Sequence, residues 1–168
     1  MGELEFATTI DHLEISGAAA DEELVPIAKL KDYLRWRQKE FVEKYDEIRY
    51  PTEQDNYSLF EASTTNDKPV VAIINTGLMQ WENKASHPWL AIIQLPYADQ
   101  EHHGLPAPET DKILTRLEDE INDLLTADAG CLNIGRQSAE QVREVYLAGR
   151  DFRKMAKVLD AIQRKYPD

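Results

Sequence analysis

The most chemical-looking cluster in the chain is the pair His102 and His103, which follows the acids Asp99 and Glu101. Imidazole and carboxylate groups serve as metal ligands and as acids or bases. Adjacent residues rarely point the same way, however, and metal sites favour spacings that place their ligands on one face. No cysteine or second spaced histidine pair lies nearby in the sequence. We therefore predict no metal site and keep His102 and His103 as candidate binding residues.

The single cysteine, Cys131, is a candidate nucleophile. A catalytic thiolate needs a base within hydrogen-bond reach and a lowered pKa. Cys131 instead begins the apolar run Cys-Leu-Asn-Ile, where a free cysteine usually packs as a small core residue. The carboxylates of the helix around Glu118 and Asp123 are expected to face water. The sequence therefore predicts no catalytic residue, and the absence of a phosphate loop or dinucleotide fingerprint predicts no cofactor.

Two further residues are candidate binding residues. Trp81 lies in the loop before His87, where an exposed aromatic side chain could mark a binding surface, although it could equally cover the edge of a strand. Arg136 follows the lone Gly135, and it could act with the loop at residues 97–106 to bind a small molecule.

Apolar patterns predict the elements that position these residues. The run at 70–74 is β-branched and typical of a central strand, and the tight turn at Asn66-Asp67 joins it in a hairpin to the run at 57–62. A third strand is predicted at 89–95. The helix that follows Pro108 carries its apolar residues at helical spacing. That predicted stripe consists of Ile113, Leu117, Ile121, Leu124 and Leu125, with Leu114 alongside.

The end of the chain predicts a short strand at 131–135 and a last helix capped by Asp151. Residues 142–148 fit a partner strand, while a helix over 138–147 is a competing interpretation. Strands that come in runs indicate an α+β fold, an antiparallel sheet with helices on one face. We predict a domain at 51–168, with an N-terminal arm and an extra helix, residues 1–50, packed on it. The arm covers residues 1–20, and the helix is capped by Asp21 and runs to about Tyr45.

Composition limits the classes of function. The 168 residues carry a net charge of −12, which disfavours nucleic acid and anionic membranes as partners. No apolar run approaches the roughly 20 residues of a membrane span, and the acidic N-terminus lacks the features of a signal peptide. One cysteine permits no intramolecular disulfide. These features predict a cytoplasmic protein, and they leave its oligomeric state open.

Residues 56–166 resemble an uncharacterised, mainly bacterial family, number 695 among the domains of unknown function. The resemblance rests on turn and strand motifs. They are Tyr57, Thr64 to Pro69, Ile74-Asn75-Thr76-Gly77-Leu78, His87-Pro88-Trp89, Gly104-Leu105-Pro106, Leu114 to Asp119, Ile134-Gly135-Arg136 and Arg143 to Tyr146. At 138–141 the chain departs from the glycine-containing hairpin turn that the family leads us to expect.

The resemblance implies a fold and no active site. The fold is similar to the ferredoxin-like arrangement of the protein regulators of ribonuclease E activity, which bind an enzyme rather than catalyse. Our leading hypothesis is a non-enzymatic regulatory or protein-interaction protein with a protein partner. One alternative is a small-molecule binder or hydrolase that uses the loop at 97–106. Another is an immunity-type inhibitor that blocks a toxin with an acidic surface.

Overall fold

The computed structural model describes residues 24–98 and 102–166. The chain divides into two compact units, of which the first ends at Ile48 and the second begins at Arg49. The arm predicted in residues 1–20 and the helix cap predicted at Asp21 lie outside the described residues. The packing of residues 1–50 on the rest of the chain stays a prediction.

The described part of the first unit is a single helix, α1 (Leu30–Tyr45), which follows a 3-10 turn at Ile27–Lys29. The helix ends where the sequence predicts. Tyr33 stacks on Trp36 at 5.9 Å between ring centroids, and none of the residues of α1 is buried.

The second unit contains one five-stranded sheet with the order β1-β2-β4-β5-β3, in which every neighbouring pair is antiparallel. The strands are β1 (Tyr57–Ser63), β2 (Pro69–Asn75), β3 (Trp89–Pro96), β4 (Cys131–Ala139) and β5 (Val142–Gly149). The predicted β1–β2 hairpin is confirmed. Residues 142–149 form a strand, so the helical alternative for this segment is wrong.

Three helices accompany the sheet: α2 (Thr76–Gln80), α3 (Pro108–Leu124) and α4 (Phe152–Lys165). Asp151 caps α4 as predicted, because its side chain accepts a hydrogen bond from the amide of Arg153. The α+β class is confirmed. The ferredoxin-like arrangement is not, because that fold follows the order β-α-β-β-α-β, whereas here three strands precede α3. None of the helices in the described segments is long and apolar enough to cross a membrane.

The two long helices of this unit cover one face of the sheet. Val145 and Leu147 of β5 are fully buried there, together with Ile121 of α3 and Met155 of α4. The alternate residues of β5 point to the second face and are only half-buried. The short helix α2 belongs to that second face, where Leu78 packs in a smaller cluster. The sheet therefore has a covered face and a more open one.

The buried side of α3 differs from the predicted stripe. Ile113 is 66% exposed and Leu124 is also exposed, whereas Leu114 and Ile121 are buried. The acid Glu118 is buried too, at 7% exposure, so the expectation that it faces water is wrong. The helix is rotated so that this carboxylate meets a partner on the sheet.

The β4–β5 hairpin closes through a two-residue turn, Glu140-Gln141, since Ala139 pairs with Val142. Both turn residues have positive φ, 48° and 68°. Such turns suit the twist of a hairpin and favour Asn-Gly, because asparagine and glycine tolerate positive φ better than other residues do. The hairpin thus forms without the glycine that the family resemblance leads us to expect, and it retains backbone strain.

We expect the double substitution Glu140→Asn with Gln141→Gly to stabilise the protein by about 1 kcal/mol, because it relieves the strain at both positions. The midpoint of urea denaturation measures the change. Glu140→Gln is the control, because the double variant also loses the exposed ion pair between Lys68 and Glu140, which contributes about 0–1 kcal/mol. A double variant less stable than this control would show that the turn at Glu140 and Gln141 is not strained.

Candidate functional site

A polar cavity lies between the sheet and α3. It consists of two adjoining hollows of about 280 Å³ and 310 Å³, which share Tyr57, Asn122 and Asn133 in their linings. The first hollow is also lined by Tyr50 and Asp55 among other residues. The two hollows together are called the polar cavity below.

The end of β2 supplies the most buried amide of the cavity. Asn75 is 2% exposed, and its side-chain oxygen accepts a hydrogen bond from the amide of Asn56 at 3.2 Å. Its side-chain nitrogen donates to the carboxylate of Asp55. The polar side chain thus satisfies backbone and side-chain groups just where the buried strand ends, which offsets the cost of burying it.

A bulge in β4 points two polar residues at α3. The register of the β4–β5 pair shifts between Asn133 and Gly135. Because of this extra residue, Asn133 and Arg136, three apart, both face the helix. Asn133 donates to the Asn122 oxygen at 2.8 Å, and Arg136 donates to Glu118 at 2.7 Å.

One buried polar atom of the cavity, the side-chain oxygen of Asn133, has no hydrogen-bond partner among the described residues. The buried hydroxyl of Tyr50 lies close enough to Asp55 and Asn75 for both to affect its pKa. Burial raises the pKa of Tyr50, and the charge of Asp55 raises it further. Burial raises the pKa of Tyr57 to about 12, again with a contribution from Asp55. Unsatisfied buried groups are rare in native proteins, and such a group usually has a partner in an ordered water, an ion or a ligand.

An apolar groove of about 410 Å³ lies on the second face of the sheet. Its floor is formed by Ile74, Leu132, Ile134, Ala148 and Leu90, and its wall by residues of the segment 78–89, including Met79, Trp81, Lys84 and His87. Leu90 is 58% exposed and Met79 is 60% exposed, although both are large apolar residues. The groove is therefore open to solvent.

One buried histidine stands in the groove wall. The ring of His87 lies 5.6 Å from that of Trp81, and its Nδ1 is 2.9 Å from the Ser86 hydroxyl. That hydroxyl donates its proton to the Asn83 carbonyl. In its contact with His87 the Ser86 oxygen is therefore the acceptor, and Nδ1 of His87 is protonated and donates the hydrogen bond. Burial lowers the pKa of His87 to about 4, and the positive charge of Arg150 contributes. His87 is neutral at physiological pH.

A carboxylate lies on the open face beyond the groove. Glu144 accepts hydrogen bonds from Tyr146, Gln94 at 2.9 Å and Gln137 at 3.2 Å. The hydroxyl of Tyr146 and the amide of Gln94 hold the pKa of Glu144 below its usual range. The group thus remains charged.

The predicted binding residues are not brought together. His102 and His103 are exposed in their loop, and neither lines the cavity or the groove. Arg136 lines the polar cavity and Trp81 lines the groove. Cys131 is a core residue whose pKa is raised by burial. Within residues 24–98 and 102–166, no group of three or more His, Cys, Asp or Glu side chains could hold a metal ion.

No sequence pattern singles out Tyr50, Asp55, Asn75 or Asn122, which form much of the polar cavity. One signal is present in hindsight. Asn75 follows directly on the β-branched run of β2, and an amide that ends a buried strand needs hydrogen-bond partners. Its partners come from segments distant in the sequence, so their identity requires the fold.

Comparison with known proteins gives a family and no function. Residues 55–168 match the model of a family of unknown function, DUF695. No curated protein and no solved structure matches the chain.

Proposed function

We propose that this chain, which belongs to DUF695, a family of unknown function, is a non-enzymatic, cytoplasmic protein-binding protein. The proposal rests on its surfaces. Its apolar groove takes an extended apolar segment of a partner protein, and that segment carries a basic residue. The observation that carries the proposal is the open second face of the sheet, where Leu90 and Ile92 are more than half exposed.

Exposed apolar residues from both edge strands lie on this face. Antiparallel register places Leu90 beside Ala148 and Ile92 beside Tyr146, on the same side of the sheet. Phe60, on the same side of the edge strand β1, is 46% exposed. Exposed apolar residues that gather on one face of a sheet typically mark an interaction surface.

The charge of Glu144 is the reason to expect a basic residue in the partner segment. This glutamate and Ala148, in the groove floor, lie on the same side of β5, four residues and about 13 Å apart. An extended segment of about four to five residues along β5 covers both. Burying the Glu144 charge without a counter-charge is costly. A lysine or arginine of the partner supplies it, and the net charge of −12 attracts such a partner.

A displayed library of random peptides tests the proposal on the full chain. We expect selected peptides to combine apolar residues with a Lys or Arg, and to lose at least tenfold in affinity for the variant Leu90→Lys. Such a loss corresponds to about 1.4 kcal/mol. Ile113→Lys is the matched control, because Ile113 is an equally exposed apolar residue on α3, outside the groove.

A second variant tests the charge. Glu144→Gln should remove the preference for basic peptides while apolar peptides still bind. Peptides that bind Leu90→Lys and Ile113→Lys equally would contradict the proposal. A wild-type dimer that Leu90→Lys converts to a monomer would contradict it as well, because a second copy would then occupy the groove.

The two other functions stay predictions. A small-molecule binder or hydrolase at the loop 97–106 needs a cavity that the exposed His102 and His103 do not line. An immunity-type inhibitor would use the acidic surface, and the presence of a toxin gene beside this gene would favour it.

A further inference from the structure

The polar cavity shares Asn75 and Leu132 with the apolar groove, but its remaining polar residues lie outside the groove and carry a separate inference. Its first hollow is bounded at the mouth by exposed residues, Thr52, Asp55 and Tyr57, and at depth by buried ones, Asn75 and Leu132. A small molecule can therefore enter from solvent and reach buried polar atoms. Ligand sites typically have this form, a concave pocket with a few converging polar groups.

Acceptors dominate the chemistry of this hollow. The unpartnered oxygen of Asn133 is an acceptor, and the carboxylate of Asp55 is another. Asp55 is the only charged residue among the described residues that line the first hollow. In the second hollow the charge of Glu118 is matched by that of Arg136. The cavity as a whole is negative and suits a ligand that donates hydrogen bonds.

The aromatic lining agrees with a positive ligand. Tyr50 and Tyr57 line this hollow, and tyrosine rings attract cations through their quadrupoles. The negative charge of Asp55 helps to raise the pKa of both phenols. A metal ion is the poorer match, because Ca²⁺ and Mg²⁺ are held by several carboxylate and carbonyl oxygens. The described residues offer no cluster of three or more His, Cys, Asp or Glu side chains.

We propose that the polar cavity binds a small organic cation, whose ammonium or guanidinium group donates hydrogen bonds to Asp55 and to the side-chain oxygen of Asn133. The hydroxyl of Tyr50 is buried beside Asp55, and its oxygen accepts a further hydrogen bond from the same ligand. Binding leaves the ion pair of Arg136 with Glu118 in place.

Titration calorimetry on the full chain tests the inference with four probes of similar length. Agmatine and putrescine carry the cationic groups, butane-1,4-diol is the neutral analogue of putrescine, and succinate is the anionic control. We expect saturable binding of agmatine or putrescine and none of the other two. Side-chain amide resonances of Asn75, Asn122 and Asn133 should shift with the cation.

Asp55→Asn should weaken binding of the cation by about tenfold to hundredfold, the range for a lost hydrogen bond to a charged group. The matched control is Asp67→Asn. It removes the same charge at the turn between β1 and β2, where Asn tolerates the positive φ of 56°. This control matters because a chain of net charge −12 gathers cations non-specifically.

A second variant, Asn133→Asp, should tighten binding of the cation several-fold, because it adds charge at the unpartnered oxygen. Three results would each overturn the inference: no saturable binding of either cation to the wild type, equal weakening by Asp55→Asn and Asp67→Asn, or binding of butane-1,4-diol as tight as that of putrescine. None of these outcomes bears on peptide binding at the groove.

Discussion

Replacement of Gly135 by alanine is expected to lower the free energy of unfolding by about 3–4 kcal/mol. Gly135 has φ of 143°, a conformation that a residue with a Cβ rarely adopts. An added Cβ would also lie 2.2 Å from the carbonyl oxygen of Ile73 and 2.9 Å from the Cα of Ile74. Both atoms belong to the backbone of β2, so no side-chain rotation can relieve the clash.

Urea denaturation at constant pH measures this loss, and the melting temperature should fall by about 10 °C. Gly130→Ala is the matched control. Gly130 also has positive φ, 84°, but an added Cβ would meet only the flexible side chain of Arg150 at 3.4 Å. We expect about 1 kcal/mol for this control. If the two variants were equally stable, the close approach of β2 to Gly135 would be refuted.

Gly135→Ala should also disturb the polar cavity. The bulge beside Gly135 reverses the alternation of β4, which brings Asn133 and Arg136 to the same side of the sheet. A strand repaired to regular alternation would turn one of them away from α3. Loss of the bulge should therefore reduce binding of the cationic probes even where the fold survives.

The hairpin of β1 and β2 and the strand character of residues 89–96 could be predicted from the sequence, because β-branched runs and turn residues are local signals. The helices at 108–124 and 152–165 are equally local, with caps or an N-terminal proline. The strand order could not be predicted, because two strands that come later in the sequence, β4 and β5, lie between β3 and the hairpin that precedes it.

The orientation of α3 shows why the buried face was missed. Hydrophobic spacing favours Ile113 and Leu124, yet both are exposed, while Glu118 is buried. The deciding contact is the ion pair of Glu118 with Arg136, and a second pair joins Asp111 to the buried Arg143 of β5. Both pairs depend on which way β4 and β5 present their arginines, and a helix pattern carries no information about that.

The candidate sites were hidden for a related reason. The polar cavity combines Asp55, the end of β2, the β4 bulge and Asn122 of α3, and none of these segments carries a motif. The predicted pair His102 and His103 has suggestive chemistry, but both side chains are exposed and line neither the polar cavity nor the groove. Trp81, which the sequence singles out, lies in the groove wall with His87, and its role in binding stays a prediction.

His87 makes the stability of the fold depend on pH. Its folded-state pKa of about 4 lies below the value of about 6.5 in an unfolded chain. Between these values the unfolded chain binds a proton that the folded protein excludes. The part of the folding stability that depends on His87 is therefore fully present above about pH 6.5, and it is lost as the pH falls towards 4. Arg150 and Arg49 reinforce the effect, since both charges oppose protonation of the ring.

We expect this single group to lower the free energy of unfolding by about 2 kcal/mol between about pH 7.5 and pH 5. Urea denaturation at a series of pH values in this range measures the loss. His87→Asn is the comparison variant, because its amide nitrogen can still donate to Ser86 but does not titrate. Carboxylates titrate alike in both proteins, so the difference between the two pH profiles isolates His87. The variant should show the flatter profile, and parallel profiles would mean that His87 takes up its proton as readily in the folded protein as in the unfolded chain.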